Sequence, residues 1–296
     1  NMIRGVLAKF PQVQATVDFI SLAKELNKMG ELFHLRDYYS KETYYRFFIP
    51  NLFPDYDKAI YVDCDMIFLA DIAELYNLEL GSNLIAAAPE EVMQEVEQPA
   101  LYVENALGID RNRYFSAGLM VMNTAEFRKQ KIAERFVDLL QRFTFRVTQD
   151  EDYLNVLCKD KFLMLDLGWN KSAFKNEAFD DSTLKLVHYK INWKPWHYEN
   201  IAYEDYFWDY ARKAGLYDML IYMRDTYTDA DKARDRQQYD RLMEMCLIDA
   251  QNPDNYYNTM QREKKRTNVY RAFAWLGKVM RVKKFVNLGR MRARSK

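Results

Sequence analysis

Residues 58–68 constrain the fold of this chain more than any other stretch, because an apolar run there ends in two closely spaced carboxylates. Residues 59–62 (AIYV) are typical of a buried parallel strand, and Asp63 and Asp65 follow directly. Alternate side chains of an extended segment share a face, so both carboxylates should point one way while Cys64 points into the protein. No cation accompanies them at the strand end, so a divalent ion is expected to neutralise them. A strand running into an acidic surface turn is the alternative.

Three further blocks lie downstream, at residues 114–123 (YFSAGLMVMN), 149–155 (QDEDYLN) and 188–196 (HYKINWKPW). Together with Arg46 and the Asp-x-Asp stretch, these blocks resemble in content and order the retaining family 8 glycosyltransferases, which include bacterial lipopolysaccharide galactosyltransferases and glycogenin. The resemblance covers about residues 10 to 200. It implies an α/β fold: a single nucleotide-diphospho-sugar transferase domain (GT-A type) with a mixed, mainly parallel sheet, followed by a C-terminal helical appendage.

The resemblance also implies a reaction. A hexose, glucose or galactose, would move from UDP-glucose or UDP-galactose to a hydroxyl of a cell-envelope glycan, glycolipid or glycoprotein acceptor, with retention of configuration. A divalent ion, Mn²⁺ or Mg²⁺, would act as a Lewis acid on the departing diphosphate. The departing diphosphate can itself take the acceptor's proton, so no strong base is required.

The metal and donor ligands follow from the same resemblance. Asp63, Asp65 and His188 would bind the metal, since neutral imidazole is a good third ligand for Mn²⁺. Ser116 departs from the family pattern, because many relatives carry Asn there. The full expected donor-binding set is Arg46, Asp63, Cys64, Asp65, Ser116, Ala117, Gly118, Asp150 and Lys194.

Gln149, Asp150 and Lys194 form the expected catalytic set. Gln149 would lie on the face of the anomeric carbon, although an amide is a weak nucleophile. Asp150 and Asp152 would bind sugar hydroxyls, whereas acidic residues in a first helical turn are also favoured by the helix dipole alone. Lys194 would direct its ammonium at the diphosphate. Relatives usually carry Gly within the preceding interval, where this chain has residues 190–192 (KIN).

Periodicity and composition predict the remaining elements. Helices are expected over residues 23–29, after Ser40, after a capping box at Asn123, and from Gln149 onward. Residues 201–250 read as amphipathic helices whose aromatic residues belong to a core. Strands are expected over residues 15–22, 84–88, 117–122, 162–165 and 183–187.

Length and charge divide the chain into three parts. We expect a catalytic domain over residues 1–200, a helical appendage over 201–260 and a basic amphipathic tail over 261–296. The tail holds 13 Lys/Arg against one acid, which leaves 30 Lys/Arg against 42 Asp/Glu in residues 1–260. Residues 262–296 are expected to bind an anionic membrane, and the acidic body argues against nucleic acid as a partner.

Cysteine usage and hydropathy favour a cytoplasmic protein on the inner face of a membrane. The three cysteines form no Cys-x-x-Cys pair, which suggests neither a disulfide framework nor a zinc cluster. No apolar run approaches the roughly 18 residues needed to cross a bilayer. Family members begin with a strand and loop that hold the uridine, and no such stretch precedes Pro11, so the chain reads as a fragment or a truncated form.

Two other functions fit parts of the pattern. A haloacid-dehalogenase-like phosphatase also places Asp-x-Asp after an apolar strand, but it would require a small residue where this chain has Met66 and Ile67. A non-catalytic relative that binds a sugar nucleotide or a glycan is the second alternative. Metal-dependent release of UDP separates all three, since only a transferase produces it.

Overall fold

The computed structural model describes residues 2–22, 33 and 40–269. Two sheets organise this part of the chain, with strand orders β1-β4-β3-β5 and β2-β7-β6. The strands are β1 Lys58–Val62, β2 Met66–Phe68, β3 Ile85–Pro89, β4 Phe115–Asn123, β5 Phe162–Met164, β6 Lys171–Ser172 and β7 Leu186–His188.

Helices surround the sheets. In chain order they are α1 Met2–Leu7, α2 Ile49–Leu52, α3 Ala73–Tyr76, α4 Glu91–Glu95, α5 Glu97–Tyr102, α6 Thr124–Lys129, α7 Ile132–Arg142, α8 Asp150–Cys158, α9 Glu204–Ala214, α10 Tyr217–Asp225, α11 Asp229–Gln251 and α12 over residues 256–269. Tighter 3-10 turns cover Lys41–Phe48, Arg111–Arg113, Leu167–Trp169 and Asp181–Thr183, and one π turn covers Val103–Leu107.

The larger sheet is buried on both faces. In β3, Ile85 and Ala87 belong to one hydrophobic cluster, while Ala86 and Ala88 belong to a second cluster on the opposite face. A strand covered on both sides is apolar at every position rather than at alternate ones. This explains why the apolar runs of β3 and β4 were recognisable in the sequence.

The pairing of the strands is mixed, as predicted, but less parallel than expected. The pairs β3–β5 and β6–β7 are parallel, whereas β1–β4, β3–β4 and β2–β7 are antiparallel. In particular, β1 pairs antiparallel with β4 and lies at one end of the strand order, where its side chains are only partly buried. The interpretation of residues 59–62 as a buried parallel strand was therefore wrong.

Two other element predictions differ from the structure. Residues 15–22 form no strand, and Phe19 and Ile20 are exposed. Their residue types favour a strand, but β-branched and aromatic residues form one only where a partner strand covers them. The strand expected over 183–187 begins later, at Leu186, after a 3-10 turn. The helix predicted over residues 23–29 lies outside the described residues.

The C-terminal helices form a partly exposed layer. In α9, Trp208 and Ala211 are buried, but Tyr206 and Tyr210 are 41% and 44% exposed, so the prediction that these tyrosines are core residues was wrong. Helix α11 packs along α5 and buries Leu242. The predicted basic tail begins within α12, and its residues after 269 lie outside the described part of the chain.

Candidate metal and donor site

Two strand pairings bring the Asp-x-Asp pair to one point. The backbone N–H of Asp63, directly after β1, donates to the carbonyl oxygen of Gly118 in β4 at 2.8 Å. A turn over Cys64 and Asp65 then leads into β2, whose first residue lies opposite His188 of β7. The carboxylates therefore lie where the two sheets meet.

Asp63, Asp65 and His188 form a group that could hold a metal ion, with one ligand atom from each within 4.8 Å of the others. The imidazole Nε2 of His188 lies 3.2 Å from Oδ1 of Asp65 and 4.0 Å from Oδ2 of Asp63. Two carboxylates and one imidazole are a suitable ligand set for Mn²⁺. The residues present therefore fit a divalent ion.

A second layer of contacts orients the imidazole. Nδ1 of His188 lies 2.9 Å from the side-chain oxygen of Asn170, whose amide nitrogen in turn donates to the carbonyl of Pro89 at 3.3 Å. In this amide orientation Nδ1 donates to Asn170, so Nε2 is the nitrogen directed at the carboxylates. Sequence inspection missed Asn170, since its role depends on a contact 18 residues away along the chain.

Gly118 makes room for this group. A β-carbon there would lie 2.4 Å from the His188 ring and 3.0 Å from Oδ2 of Asp63. The space over Gly118 is thus occupied by the Asp63 carboxylate and the His188 imidazole. Any larger residue would displace them.

The structure supplies two cations that the local sequence lacks. The ammonium of Lys194 donates to Oδ2 of Asp65 and to the carbonyl of Tyr189. Burial acts to raise the pKa of the Asp65 carboxyl, but His188 and Lys194 more than offset it and hold that pKa well below its usual range. The expectation that no cation accompanies the pair holds only for residues 59–68.

Arg46 neutralises the other carboxylate. Its guanidinium is buried and donates to Oδ1 of Asp63 at 3.2 Å and to the carbonyl of Ala117 at 2.7 Å, and it lies 3.0 Å from Oδ2 of Asp150. It also lies over the ring of Tyr61, 4.3 Å from its centroid. Arg46 therefore links the metal group to the first turn of α8.

The first turn of α8 differs most from the prediction. Gln149 is fully buried in a left-handed backbone conformation (φ 54°), and neither polar atom of its amide finds a hydrogen-bond partner among the described residues. It does not line the cleft, whereas Asp150 and Glu151 do. Asp152 accepts hydrogen bonds from two buried tyrosine hydroxyls, those of Tyr102 and Tyr114, each at 2.8 Å. Its carboxylate therefore has a structural role in the core.

Asp150 is buried and Glu151 partly buried, and both carboxyl groups line the cleft. Burial raises the pKa of Asp150 to about 6, although Arg46 and the Thr43 hydroxyl, which donates to it at 2.7 Å, act in the other direction. Burial, together with the charge of Glu90, raises the pKa of Glu151 well above its usual range. Oε2 of Glu151 accepts from the backbone N–H of Ala117 at 2.7 Å.

The remaining expected donor residues are divided between the cleft and the surface. Ser116 and Gly118 line the cleft, and Ala117 contributes backbone contacts to Arg46 and Glu151. The side chain of Cys64 is exposed, because residues 64–65 form a turn rather than extended strand. The prediction that Cys64 points into the protein was wrong.

Sequence inspection missed the opposite wall of the cleft. Glu90 and Lys190 form an ion pair of 2.6 Å there. Burial acts to raise the pKa of Glu90, but Lys190 more than offsets it and lowers that pKa. Apolar residues complete the wall: Val92, Met93 and Pro99 from the region after β3, and Leu242, Met243 and Cys246 from α11.

A second, wider cleft adjoins the first. Val92, Lys190 and Ile191 line both clefts. The second cleft is also lined by aromatic residues, among them Phe174 and Trp193, which are 38% and 39% exposed. A ligand in either cleft would therefore contact the same segment of residues 190–191.

Comparisons with known proteins agree with this geometry. The sequence model described as Glycosyl transferase family 8 matches residues 7–200. General stress protein A of Bacillus subtilis (strain 168) is 31% identical over 140 residues, which make up 46% of this chain and 47% of that protein. Lipopolysaccharide glucosyltransferase WaaO of Escherichia coli (strain K12) is 28% identical over 180 residues, 56% of this chain and 50% of that protein.

A solved structure is also similar. The apo structure of the bifunctional glycosyltransferase WbbM superposes with a TM-score of 0.54 and 26% identity, over 64% of this chain and 38% of that one. The present chain spans about half the length of the curated relatives it matches.

Proposed function

Because the chain belongs to glycosyltransferase family 8, we propose that it transfers a hexose from a UDP-sugar to a hydroxyl group of a glycan, glycolipid or glycoprotein acceptor, in a reaction that depends on Mn²⁺ or Mg²⁺. UDP-glucose and UDP-galactose are the proposed donors, and a cell-envelope glycan is the proposed acceptor. Retention at the anomeric carbon is part of the proposal.

One observation carries it: Asp63, Asp65 and His188 converge at the floor of a cleft that also contains Lys194 and Arg46. A nucleotide diphosphate needs a cluster of positive charge, and carboxylates beside an imidazole are how proteins hold the divalent ion that supplies most of it. The phosphatase alternative has no support from the family match.

Each residue has a distinct proposed task. A bound divalent ion would supply Lewis-acid stabilisation of the charge that develops on the diphosphate. Asn170 would keep Nε2 of His188 directed at the metal, and Arg46 would hold Asp63 in place. Lys194 lines the cleft. When the donor binds, its ammonium would leave Asp65 and form a hydrogen bond with the diphosphate instead.

Glu151 takes the place proposed for Gln149. It lines the cleft beside Asp150, whereas the amide of Gln149 is buried below it. Its carboxyl group, whose pKa burial and the charge of Glu90 raise well above its usual range, can form a hydrogen bond with a sugar hydroxyl. Glu151 is therefore proposed as the residue that borders the donor sugar.

The second cleft is the proposed site of the acceptor. It shares residues 190–191 with the donor cleft, so a hydroxyl placed at this boundary would reach the transferred sugar. Exposed rings such as Phe174 and Trp193 suit the flat faces of a glycan, since aromatic side chains combine an apolar body with polar edges.

The basic tail is proposed to bring the enzyme to its acceptor at a membrane. The described helices include none long and apolar enough to cross a bilayer. Residues 262–296, rich in Lys and Arg, would instead bind an anionic membrane surface from the cytoplasmic side.

The test is Mn²⁺-dependent release of UDP from UDP-glucose or UDP-galactose. Asp63→Asn should abolish release and Mn²⁺ binding, while Asp55→Asn, an exposed aspartate before β1, should behave like wild type. Binding of UDP without any release would indicate the non-catalytic alternative. Equal activity of Asp63→Asn and wild type would refute the metal assignment.

A further inference from the structure

The segment that carries Lys194 is attached to the long helix α11. We define this donor loop as residues 189–198. Within it the side-chain amide of Asn192 is buried and donates to Oε1 of Gln238 at 2.9 Å and to the backbone carbonyl of Asp235 at 3.4 Å. Both acceptors belong to α11, outside the residues matched by the family model.

A second attachment lies on the other side of Lys194. The hydroxyl of Tyr198 donates to Oδ2 of Asp235 at 2.8 Å, and the hydroxyl of Tyr227 donates to the same oxygen at 2.6 Å. The backbone N–H of Tyr198 donates to the carbonyl of Lys194 at 2.9 Å, so this attachment acts directly on the turn that begins at Lys194. The ring of His197 stacks on Tyr227 with centroids 4.0 Å apart.

The donor loop is strained immediately before the first of these attachments. Ile191 has a φ of 55°, in the left-handed region that β-branched residues rarely adopt. A strained backbone persists only where surrounding contacts hold it. Asn192, the next residue, is the buried anchor on α11, and Lys194 follows two positions later.

We propose that α11 holds the donor loop in the conformation that presents Lys194 to the donor diphosphate, with Asp235 and Asn192 as positioning residues. This inference rests on the proposed function for the role of Lys194, but not for the attachment itself. The contacts with α11 would thereby make the left-handed conformation accessible to Ile191. In a loop without such contacts, glycine makes that conformation accessible because it has no β-carbon.

Two variants test the attachment in the full chain. Asp235→Ala and Asn192→Ala should each weaken UDP binding at saturating Mn²⁺ by roughly 5- to 20-fold, the range expected for losing a hydrogen bond to a buried polar group. Asp240→Ala, at an exposed aspartate on the same helix, is the matched control and should keep wild-type affinity. Unchanged affinity in both test variants, while Lys194→Ala loses it, would overturn the inference and leave the proposed function standing.

A double-variant comparison separates positioning from general destabilisation. Glycine relieves the strain at position 191, so Asn192→Ala should cost several-fold less UDP affinity in an Ile191→Gly background than in the wild-type background. A purely structural role for Asn192 would give the same loss in both backgrounds, which would overturn the proposal.

Hydrogen exchange provides a measurement that needs no nucleotide. Amides of the donor loop should exchange about tenfold faster in Asp235→Ala than in wild type, while amides of β3 and β4 stay protected. Equal exchange rates in the loop would overturn the attachment. If wild type fails to bind UDP at all, the proposed function fails, and this exchange measurement still decides the inference.

Discussion

Replacing Lys194 with methionine is expected to change the affinities for Mn²⁺ and for UDP in opposite directions. Without metal, the ammonium of Lys194 donates to Oδ2 of Asp65 and to the carbonyl of Tyr189. The same carboxylate is one of the predicted metal ligands, so the lysine competes with the metal for it. Methionine keeps the apolar stem of the side chain and removes the charge and its donors.

The expected size of both affinity changes follows from the contact between Lys194 and Asp65. A hydrogen bond to a charged group contributes about 1.5–3 kcal/mol, and partial exposure of Lys194 and Asp65, at 15% and 24%, places the value near the lower end. Since about 1.4 kcal/mol is a factor of ten, Lys194→Met should bind Mn²⁺ alone about tenfold more tightly. With Mn²⁺ saturating, the lost ammonium should weaken UDP binding by about tenfold or more.

Isothermal titration calorimetry measures both affinities on the same protein. Lys190→Met is the matched control, because its ammonium lies in the same cleft but pairs with Glu90 at 2.6 Å. That control should keep the Mn²⁺ affinity of wild type. A Lys194→Met protein that binds Mn²⁺ no more tightly than wild type would refute the competition, and unchanged UDP affinity would refute the diphosphate role of Lys194.

Three further predictions concern other parts of the protein. His188→Ala should weaken Mn²⁺ binding measured by calorimetry, whereas His197→Ala should not, because His197 stacks on a tyrosine away from the carboxylates; equal losses would contradict the ligand assignment. Burial raises the pKa of Asp150 to about 6. Ionisation of this carboxyl group as the pH rises from about 4 through 6 therefore lowers the free energy of unfolding. Asp150→Asn should therefore raise the free energy of unfolding at pH 8 by up to about 3 kcal/mol and change it little at pH 4.5, and identical effects at both pH values would contradict the shift. The full chain should sediment with anionic but not neutral vesicles, increasingly so at low salt, and a chain ending at Met260 should not; binding that survives truncation or does not depend on lipid charge would exclude the basic tail as the anchor.

The sequence by itself determined the family, the fold class and the candidate metal ligands. Asp63 and Asp65 directly follow an apolar run, and His188 ends another, so each ligand is marked by its neighbours in the chain. β3 and β4 are apolar at successive positions because both faces of their sheet are buried. The family resemblance and the α/β fold class are confirmed, since they depend on such local patterns.

The sequence could not show which side of helix α8 faces the cleft. That helix is buried on nearly every side, so no polar stripe indicates which residue of its first turn faces the cleft. Gln149 and Asp152 were assigned to the substrate, yet the structure buries both and places Glu151 at the cleft. Packing on all sides removes the pattern on which such a choice depends.

Only the tertiary structure decided how the charges of the site are balanced. Lys194 reaches Asp65 across 129 residues, and Arg46 reaches Asp63 from a separate 3-10 turn. These pairs form because strand pairing brings distant segments together, and Coulomb energy depends on separation in space rather than along the chain. The same holds for Asn192, which follows the left-handed residue Ile191 and forms hydrogen bonds with Asp235 and Gln238, 43 and 46 residues further along the chain.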